Sequence, residues 1–204
     1  RDRNDAQFFK ALALIQLNDV SGALKALGAV GPSTNYPRAL QEAAAILVSR
    51  GDIGAANAFF EEHRKVHTDG AELNFALHAE TLQTLGSIEA ESVLSRGISA
   101  FPTSTRLLFA RANFRERAGF FDLAEADYRQ ILNLNPGDAN ALNALGYALT
   151  NNTDRFQEAA GLLEEAISKD PRNPAIIDSL GWVYFKLGKD CLLYTSDAAD
   201  DLVG

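Results

Sequence analysis

Two histidines, His63 and His67, stand four residues apart in a segment that reads HRKVH. On a helix this spacing puts both imidazoles on one face, as two ligands of a single zinc ion require. The catalytic form of such a pair has a glutamate between the histidines as a general base, whereas this segment has Arg64 and Lys65. The pattern therefore favours histidines that pack against a neighbouring helix, and we predict no metal ion and no cofactor.

Adjacent acidic residues are the other groups that could do chemistry, at Glu61–Glu62 and Glu164–Glu165. Neighbouring residues on a helix point to different faces, so the two carboxyl groups of each pair cannot act on one bond. The sequence also offers no glycine-rich phosphate loop after a strand and no nucleophile elbow. We therefore predict that the chain is not an enzyme and that it has no catalytic residues.

The composition narrows the class of partner. The chain has 204 residues, a net charge of −8 and 47% hydrophobic residues, which suits a packed core and disfavours nucleic acid as a partner. No apolar run reaches the roughly 18–20 residues that span a bilayer, so we predict no transmembrane segment in the visible chain. The oligomeric state stays open.

The elements that position these residues show a repeat of about 34 residues. Five small residues keep this spacing along the whole chain, namely Ala23, Ala56, Ala90, Ala124 and Ala159. A second series keeps the same period with His78 in one of its places: Ala11, Ala44, His78, Ala112, Gly146 and Gly181. Small residues at a fixed period allow two helices to cross closely, and larger apolar residues three or four positions away fill the space around the crossing. The pattern predicts an all-α solenoid of tandem helix–turn–helix units.

The clearest copies identify the type of repeat. One copy has Leu142, Leu145, Gly146 and Leu149 in its first helix, and the next reproduces the W-x-x-L-G-x-x-Y pattern as Ile177, Leu180, Gly181 and Tyr184. Over residues 4 to 190 the chain resembles the tetratricopeptide repeat (TPR) family. The resemblance implies a right-handed α-solenoid of about five and a half repeats. It also implies a scaffold that binds a protein or a peptide on its concave face.

A narrower resemblance concerns the segment LNALGYALTNNTDRFQEAAGLLEEAISKDPRNPAIIDSLGWVYFKLGK. It is similar to the repeats of large bacterial TPR proteins, including outer-membrane lipoproteins, some of which act as adaptors for a periplasmic processing protease. The resemblance implies a periplasmic adaptor in or near the outer membrane, with a cytoplasmic location as the alternative. A different hypothesis makes the chain the docking domain of a larger enzyme, such as a glycosyltransferase or a peptidase.

In TPR arrays the fifth and ninth residues of each first helix line the concave face. Carried over to this chain, the resemblance predicts a peptide groove with an aromatic and amide floor formed by Phe75, Phe109, Asn113, Asn143, Tyr147 and Trp182. The alternative is that Phe75 and Phe109 pack between neighbouring repeats. The carboxylate clamp of chaperone-binding relatives needs a lysine at a fifth position and an asparagine at a ninth. Phe109 stands at such a fifth position here, so we expect no recognition of acidic C-terminal peptides of that type.

The last residues, CLLYTSDAADDLVG from Cys191 onward, break the repeat pattern. They resemble the translation of a sequencing adapter. We expect residues 1–190 to be a TPR solenoid fragment truncated at both ends, and residues 191–204 to be a non-native or disordered tail.

Overall fold

The computed structural model describes residues 3–188, and these residues are predominantly helical. The prediction for residues 191–204 lies outside the described residues. Eleven α-helices and one 3₁₀ turn, Thr68–Gly70, make up the described chain. The helices are α1 Arg3–Gln16, α2 Val20–Gly28, α3 Tyr36–Arg50, α4 Ile53–Val66, α5 Ala71–Thr84, α6 Glu89–Ala100, α7 Thr105–Arg117, α8 Phe121–Leu134, α9 Ala139–Asn152, α10 Phe156–Lys169 and α11 Pro174–Lys186. The all-α prediction is confirmed.

Local capping chemistry decides where several helices begin and end. Asp19 accepts a hydrogen bond from the Gly22 amide at 2.9 Å, and Asp52 accepts one from the Ala55 amide at 2.8 Å. Each aspartate thereby satisfies one of the unpaired N–H groups in the first turn of its helix. Gly51 ends α3 with a φ of 66°, a left-handed conformation that a glycine adopts without steric cost.

The chain divides into two compact units within α7, and each is described by itself. Unit 1 covers the described residues 3–114 and unit 2 the described residues 115–188. In unit 1, α1 packs on α2, α2 on α3, and α5 contacts α3, α4 and α6. Its first core joins residues of α1, α2 and α3 with the loop after α2: Phe8, Ala11, Ala26, Leu27, Val30, Ala39 and Ala43.

In unit 2, α10 packs against both α9 and α11, and α9 also contacts α8 and α11. Leu142, Ala166 and Ile176 join these last three helices in one buried cluster. The earlier part of the unit holds a buried ion pair, Arg115 Nη1 to Asp127 Oδ2 at 2.9 Å. The Tyr128 hydroxyl, in a fully buried side chain, donates to Glu116 at 2.9 Å. Both apolar and polar contacts therefore stabilise the packing of the helices in unit 2.

The structure corrects the register of one repeat. Phe75 packs against Gly97 of α6, where a Cβ built on the glycine would lie 3.0 Å from Phe75 Cβ. Ala79 is one turn further along α5, so it shares the face of Phe75 and is fully buried. The small residue at this helix crossing is therefore Ala79, and the assignment of His78 to that place was wrong. His78 points instead to α4, where its Nε2 lies 2.8 Å from Asn57 Oδ1.

Candidate functional site

Unit 1 has an open groove between α3 and α5, with a volume of about 230 Å³. Residues one turn apart on each helix line it: Gln41, Ala44, Ala45 and Val48 on α3, and Leu77, Glu80, Thr81 and Thr84 on α5. The two alanines leave the floor open because their side chains are short. The groove can therefore seat a small apolar side chain of a ligand.

The polar groups of this groove differ in their availability. Thr81 Oγ1 donates to the Leu77 carbonyl at 2.7 Å, and Thr84 Oγ1 donates to the Glu80 carbonyl at 2.9 Å. Both hydroxyl protons are thus used within α5. Gln41 and Glu80 are exposed to solvent, so an amide and a carboxylate remain at the rim for a ligand.

The predicted residue Phe75 lies outside this groove. Its ring makes an edge contact with Phe101, with centroids 6.5 Å apart, and the Arg64 guanidinium lies 4.3 Å from its centroid. Phe75 also contacts Gly97. These contacts agree with the alternative that Phe75 packs against neighbouring helices and does not line a peptide groove. Phe109 and Asn113 lie on α7, and each is partly buried.

The other three predicted residues belong to unit 2, where α9 and α11 pack together. Tyr147 on α9 is 46% exposed and Trp182 on α11 is 38% exposed. Trp182 Nε1 donates to Asn151 Oδ1 at 2.9 Å, and Asn151 stands one turn beyond Tyr147 on α9. The hydrogen bond therefore holds the indole beside the α9 face that carries the tyrosine.

Neighbours on α11 extend this exposed aromatic surface. Phe185 is exposed and stacks on Trp182, with ring centroids 5.5 Å apart and an angle of 16° between the planes. Lys186 Nζ lies 4.8 Å from the Trp182 ring centroid. The two stacked rings form a flat apolar area, with the Lys186 ammonium and the Asn151 amide at its edge. We call Tyr147, Asn151, Trp182 and Phe185 the aromatic surface.

Asn143 stands one turn before Tyr147 on α9 and is partly buried. Its Oδ1 is enclosed and finds no hydrogen-bond partner in the part of the chain that the structure describes. A buried acceptor of this kind costs free energy until a donor reaches it. A ligand N–H could satisfy it only after neighbouring side chains move aside.

Sequence reasoning missed several residues of these two surfaces. Glu80 was missed because the 34-residue period is one residue out of register in α5. It placed Ala79, and not Glu80, at the ninth position that lines the concave face. Gln41 does stand at a predicted fifth position, so its place in the repeat is the signal that could have identified it. Phe185, which is exposed, lies three residues after the predicted Trp182 on α11, so its place one turn along the same helix face is a second such signal.

Comparison with known proteins identifies the repeats. No family model matches the chain. The TPR repeat-containing protein PA4667 of Pseudomonas aeruginosa is 31% identical over 172 residues, which cover 84% of this chain and 29% of that protein. The chain is a tetratricopeptide-repeat protein. A second curated protein, Bacteriophage adsorption protein A of Escherichia coli K12, is 27% identical over 84% of this chain and 17% of its own length. The TPR chain therefore spans less than a third of either relative.

Solved TPR structures share the fold. A tetratricopeptide repeat protein from Parabacteroides merdae matches 94% of this chain with a TM-score of 0.61 and 18% identity. YrrB, described as a TPR protein with an unusual peptide-binding site, matches 85% of the chain and 89% of its own, with a TM-score of 0.56 and 19% identity. The first TPR of Spaghetti (RPAP3), bound to the HSP90 peptide SRMEEVD, matches 57% of the chain and 93% of its own, with a TM-score of 0.53 and 23% identity. These likenesses confirm the predicted TPR solenoid fold class and carry no more than the fold.

Proposed function

We propose that this TPR chain is a protein-binding scaffold that holds a peptide segment of its partner against the first helices of its repeats. The observation that carries the proposal is the aromatic surface, where Tyr147 and Trp182 remain exposed in a well-packed unit. Large exposed aromatic residues contribute little to folding, but they supply much contact area at a low entropic cost when a partner binds.

The arrangement of the groups supports a peptide rather than a small polar ligand. Trp182 and Phe185 offer a stacked apolar face, and the Trp182–Asn151 hydrogen bond restrains the indole before binding. A restrained side chain loses less conformational entropy on association, so more of the contact energy appears as affinity. The α3–α5 groove offers unit 1 a separate place for a small apolar side chain.

The chemistry of unit 1 disfavours strongly acidic peptides. Glu80 is exposed at the groove rim, and like charges placed close together weaken association. The peptide SRMEEVD, which the Spaghetti TPR binds, is therefore the appropriate negative control. We expect this chain not to bind it, since Phe109 stands where the carboxylate clamp has its lysine.

Panning a library of random peptides displayed on phage against the immobilised chain tests the proposal. Ala45→Arg places a long side chain in the groove, and Ala58→Arg is the matched control because both alanines are exposed within helices. Peptides that bind unit 1 should lose affinity for Ala45→Arg alone. Peptides that bind unit 2 should lose affinity for Trp182→Ala. Equal recovery of peptides on all variants would refute the proposed surfaces.

The finer form of this proposal is a periplasmic adaptor that presents substrates to a processing protease. The similarity of residues 142–189 to bacterial lipoprotein repeats supports it, and the relative from Pseudomonas aeruginosa is likewise a bacterial TPR protein. No helix of the described residues is long and apolar enough to cross a membrane. Fractionation of cells that carry the native gene would test the location, and a purely cytoplasmic protein would exclude this form.

The second candidate is a docking region of a longer protein that includes an enzyme. The chain spans only 29% and 17% of the two curated relatives, so those relatives have room for further domains. The native reading frame decides between the candidates. A catalytic domain in that frame would favour the docking region, whereas repeats alone would favour the independent scaffold.

A further inference from the structure

A network of buried, hydrogen-bonded polar side chains lies between α4 and α5 in unit 1. His63, Asn74 and His78 have exposed fractions of 3%, 0% and 0%. Arg64 lies among them and is partly buried. In the repeat that begins with α9, Leu145 occupies the position equivalent to His78, and it is an apolar core residue. The seam between these two helices is therefore polar where another repeat of the same chain is apolar.

The direction of the hydrogen bonds at His78 is fixed by groups that cannot reverse. A guanidinium can only donate, and Arg64 Nη1 lies 3.1 Å from His78 Nδ1, so that nitrogen must accept. At the other side of the ring, His78 Nε2 lies 2.8 Å from Asn57 Oδ1. Asn57 Nδ2 in turn donates to the Glu89 carboxylate at 2.7 Å. His78 is thus the neutral tautomer with its proton on Nε2.

The hydrogen bonds at His63 also have a fixed direction. Arg64 Nη1 also donates to Asn74 Oδ1 at 2.6 Å, which turns the Asn74 amide nitrogen toward His63 Nδ1 at 3.3 Å. His63 Nδ1 must therefore accept as well. Its Nε2 faces the Val30 carbonyl at 3.2 Å and donates to it. Both imidazoles are neutral, and every hydrogen bond of this polar network agrees with that state.

We propose that the α4–α5 seam is a proton-sensitive switch, which loosens when His63 and His78 are protonated. A proton on either Nδ1 would place an N–H group directly against another N–H donor, from Arg64 at His78 and from Asn74 at His63. The two accepting bonds would be lost, and a new positive charge would be buried beside Arg64. Separation of the helices lets each imidazolium reach water.

The charged and titratable groups around the seam do not relieve this conflict. Glu61 on α4 pairs with Arg96 of α6 at 3.1 Å, and Glu89 of α6 is engaged by Asn57. On α5, Glu72 accepts a hydrogen bond from Ser104. Among the described residues 3–188, no carboxylate is hydrogen-bonded to His63 or His78. The remaining titratable neighbours are a phenol and another imidazole, Tyr36 and His67.

The shifts in pKa agree with this geometry. Burial lowers the pKa of His63 to about 4, with the His67 and Arg64 charges adding to the effect. Burial likewise lowers the pKa of His78 to about 3, assisted by Arg64 and Arg96. Because the folded pKa lies below the unfolded value of 6.5, the stabilisation is complete above about pH 6.5. It is lost as the pH falls from there toward the folded values.

Two measurements on the full chain test the switch. Long-range ¹H–¹⁵N spectra should show His63 and His78 as neutral Nε2–H tautomers at neutral pH. Hydrogen exchange, corrected for the intrinsic pH dependence, should show α4 and α5 opening about thirty-fold more often at pH 5.5 than at pH 6.5. That factor follows from the uptake of one proton by each released imidazole with an unfolded pKa near 6.5. The amides of α9 and α10 serve as the internal reference.

Two variants separate proton uptake from simple loosening. His78→Leu removes one titrating group and should reduce the change to about five-fold. Thr81→Val alters another buried polar residue of α5 without removing a titrating group, so it should keep the change near thirty-fold. An Nδ1–H tautomer at His63 or His78, or an unchanged opening ratio between the two pH values, would overturn the proposal.

Discussion

Gly146 and Leu163 approach each other so closely that a side chain on the glycine has no room. A Cβ at position 146 would lie 2.6 Å from Leu163 Cγ and 3.2 Å from the Ala159 carbonyl oxygen. The contact joins α9 to α10 within one repeat. The periodic small residues of the sequence therefore mark real helix crossings in this unit.

Gly146→Ala should lower the free energy of unfolding by about 1–3 kcal/mol, because Leu163 and the α10 backbone must shift to admit the methyl group. Gly161→Ala is the matched control on α10. A Cβ there meets nothing within 4 Å, so the control should raise stability by up to about 1 kcal/mol through helix propensity. Urea unfolding of both variants checks the pair. Stabilisation by Gly146→Ala would contradict the close crossing.

The start of α8 should become more stable with a capping residue. Phe120 occupies the N-cap with φ −91° and ψ 63° and provides no side-chain hydrogen bond, whereas Asp19 caps α2 from a similar conformation. Phe120→Asp should therefore add about 1 kcal/mol to the free energy of unfolding. Phe120→Ala separates the cap from the loss of an exposed ring. Equal effects of the two substitutions would show that the carboxylate makes no cap.

The buried ion pair of unit 2 should be costly to break and cheaper to replace. Arg115 and Asp127 have side-chain exposures of 12% and 3%. Asp127→Leu alone leaves a buried guanidinium without its carboxylate, which should cost about 3–5 kcal/mol. The double variant Arg115→Leu, Asp127→Leu should recover most of this loss, since Leu149 and Leu162 hold the same places in the next repeat. Denaturant titration of the single and double variants measures the difference, and additive losses would contradict the account.

A surface network of two arginines and two glutamates should make unit 2 sensitive to acid. Arg155 and Arg129 both bond Glu125 and Glu158, and these hydrogen bonds lower the pKa of Glu125 and of Glu158. A folded pKa below the unfolded value means stabilisation above the unfolded pKa and its loss as the pH falls. The double variant Glu125→Gln, Glu158→Gln should flatten the decline of stability below about pH 5. An unchanged decline, measured by urea unfolding at several pH values, would contradict this role.

The period predicted the helices well because each helix crossing requires a small residue at the point of closest approach. That residue recurs once in every repeat. The prediction failed at α5, where the 3₁₀ turn Thr68–Gly70 precedes the helix and the small residue falls at Ala79, one place later than a 34-residue period requires. A one-residue shift turns a helix by about 100°, so each groove position in α5 was misassigned. A regular spacing cannot reveal an added residue in a turn.

Exposure of the aromatic residues was harder to predict than their place in the repeat. Phe75 and Tyr147 were both assigned to groove positions, yet Phe75 packs on Gly97 and Tyr147 is exposed. The one-residue shift in α5 turns Phe75 toward α6, where it packs against Gly97. The pattern within α5 does not identify a packing partner on another helix. The polar chain of His63, Asn74 and His78 was missed for the same reason, since its partners come from four different segments.

The most direct test of the scaffold is the affinity of library-selected peptides for two triple variants. One variant, Ala45→Arg, Tyr147→Ala, Trp182→Ala, alters both proposed surfaces. The other, Ala58→Arg, Phe9→Ala, Ile88→Ala, alters exposed residues outside them. Isothermal calorimetry should show at least about ten-fold weaker binding to the first variant and unchanged binding to the second, because exposed aromatic anchors dominate such interfaces. Equal affinity for both variants would contradict the account.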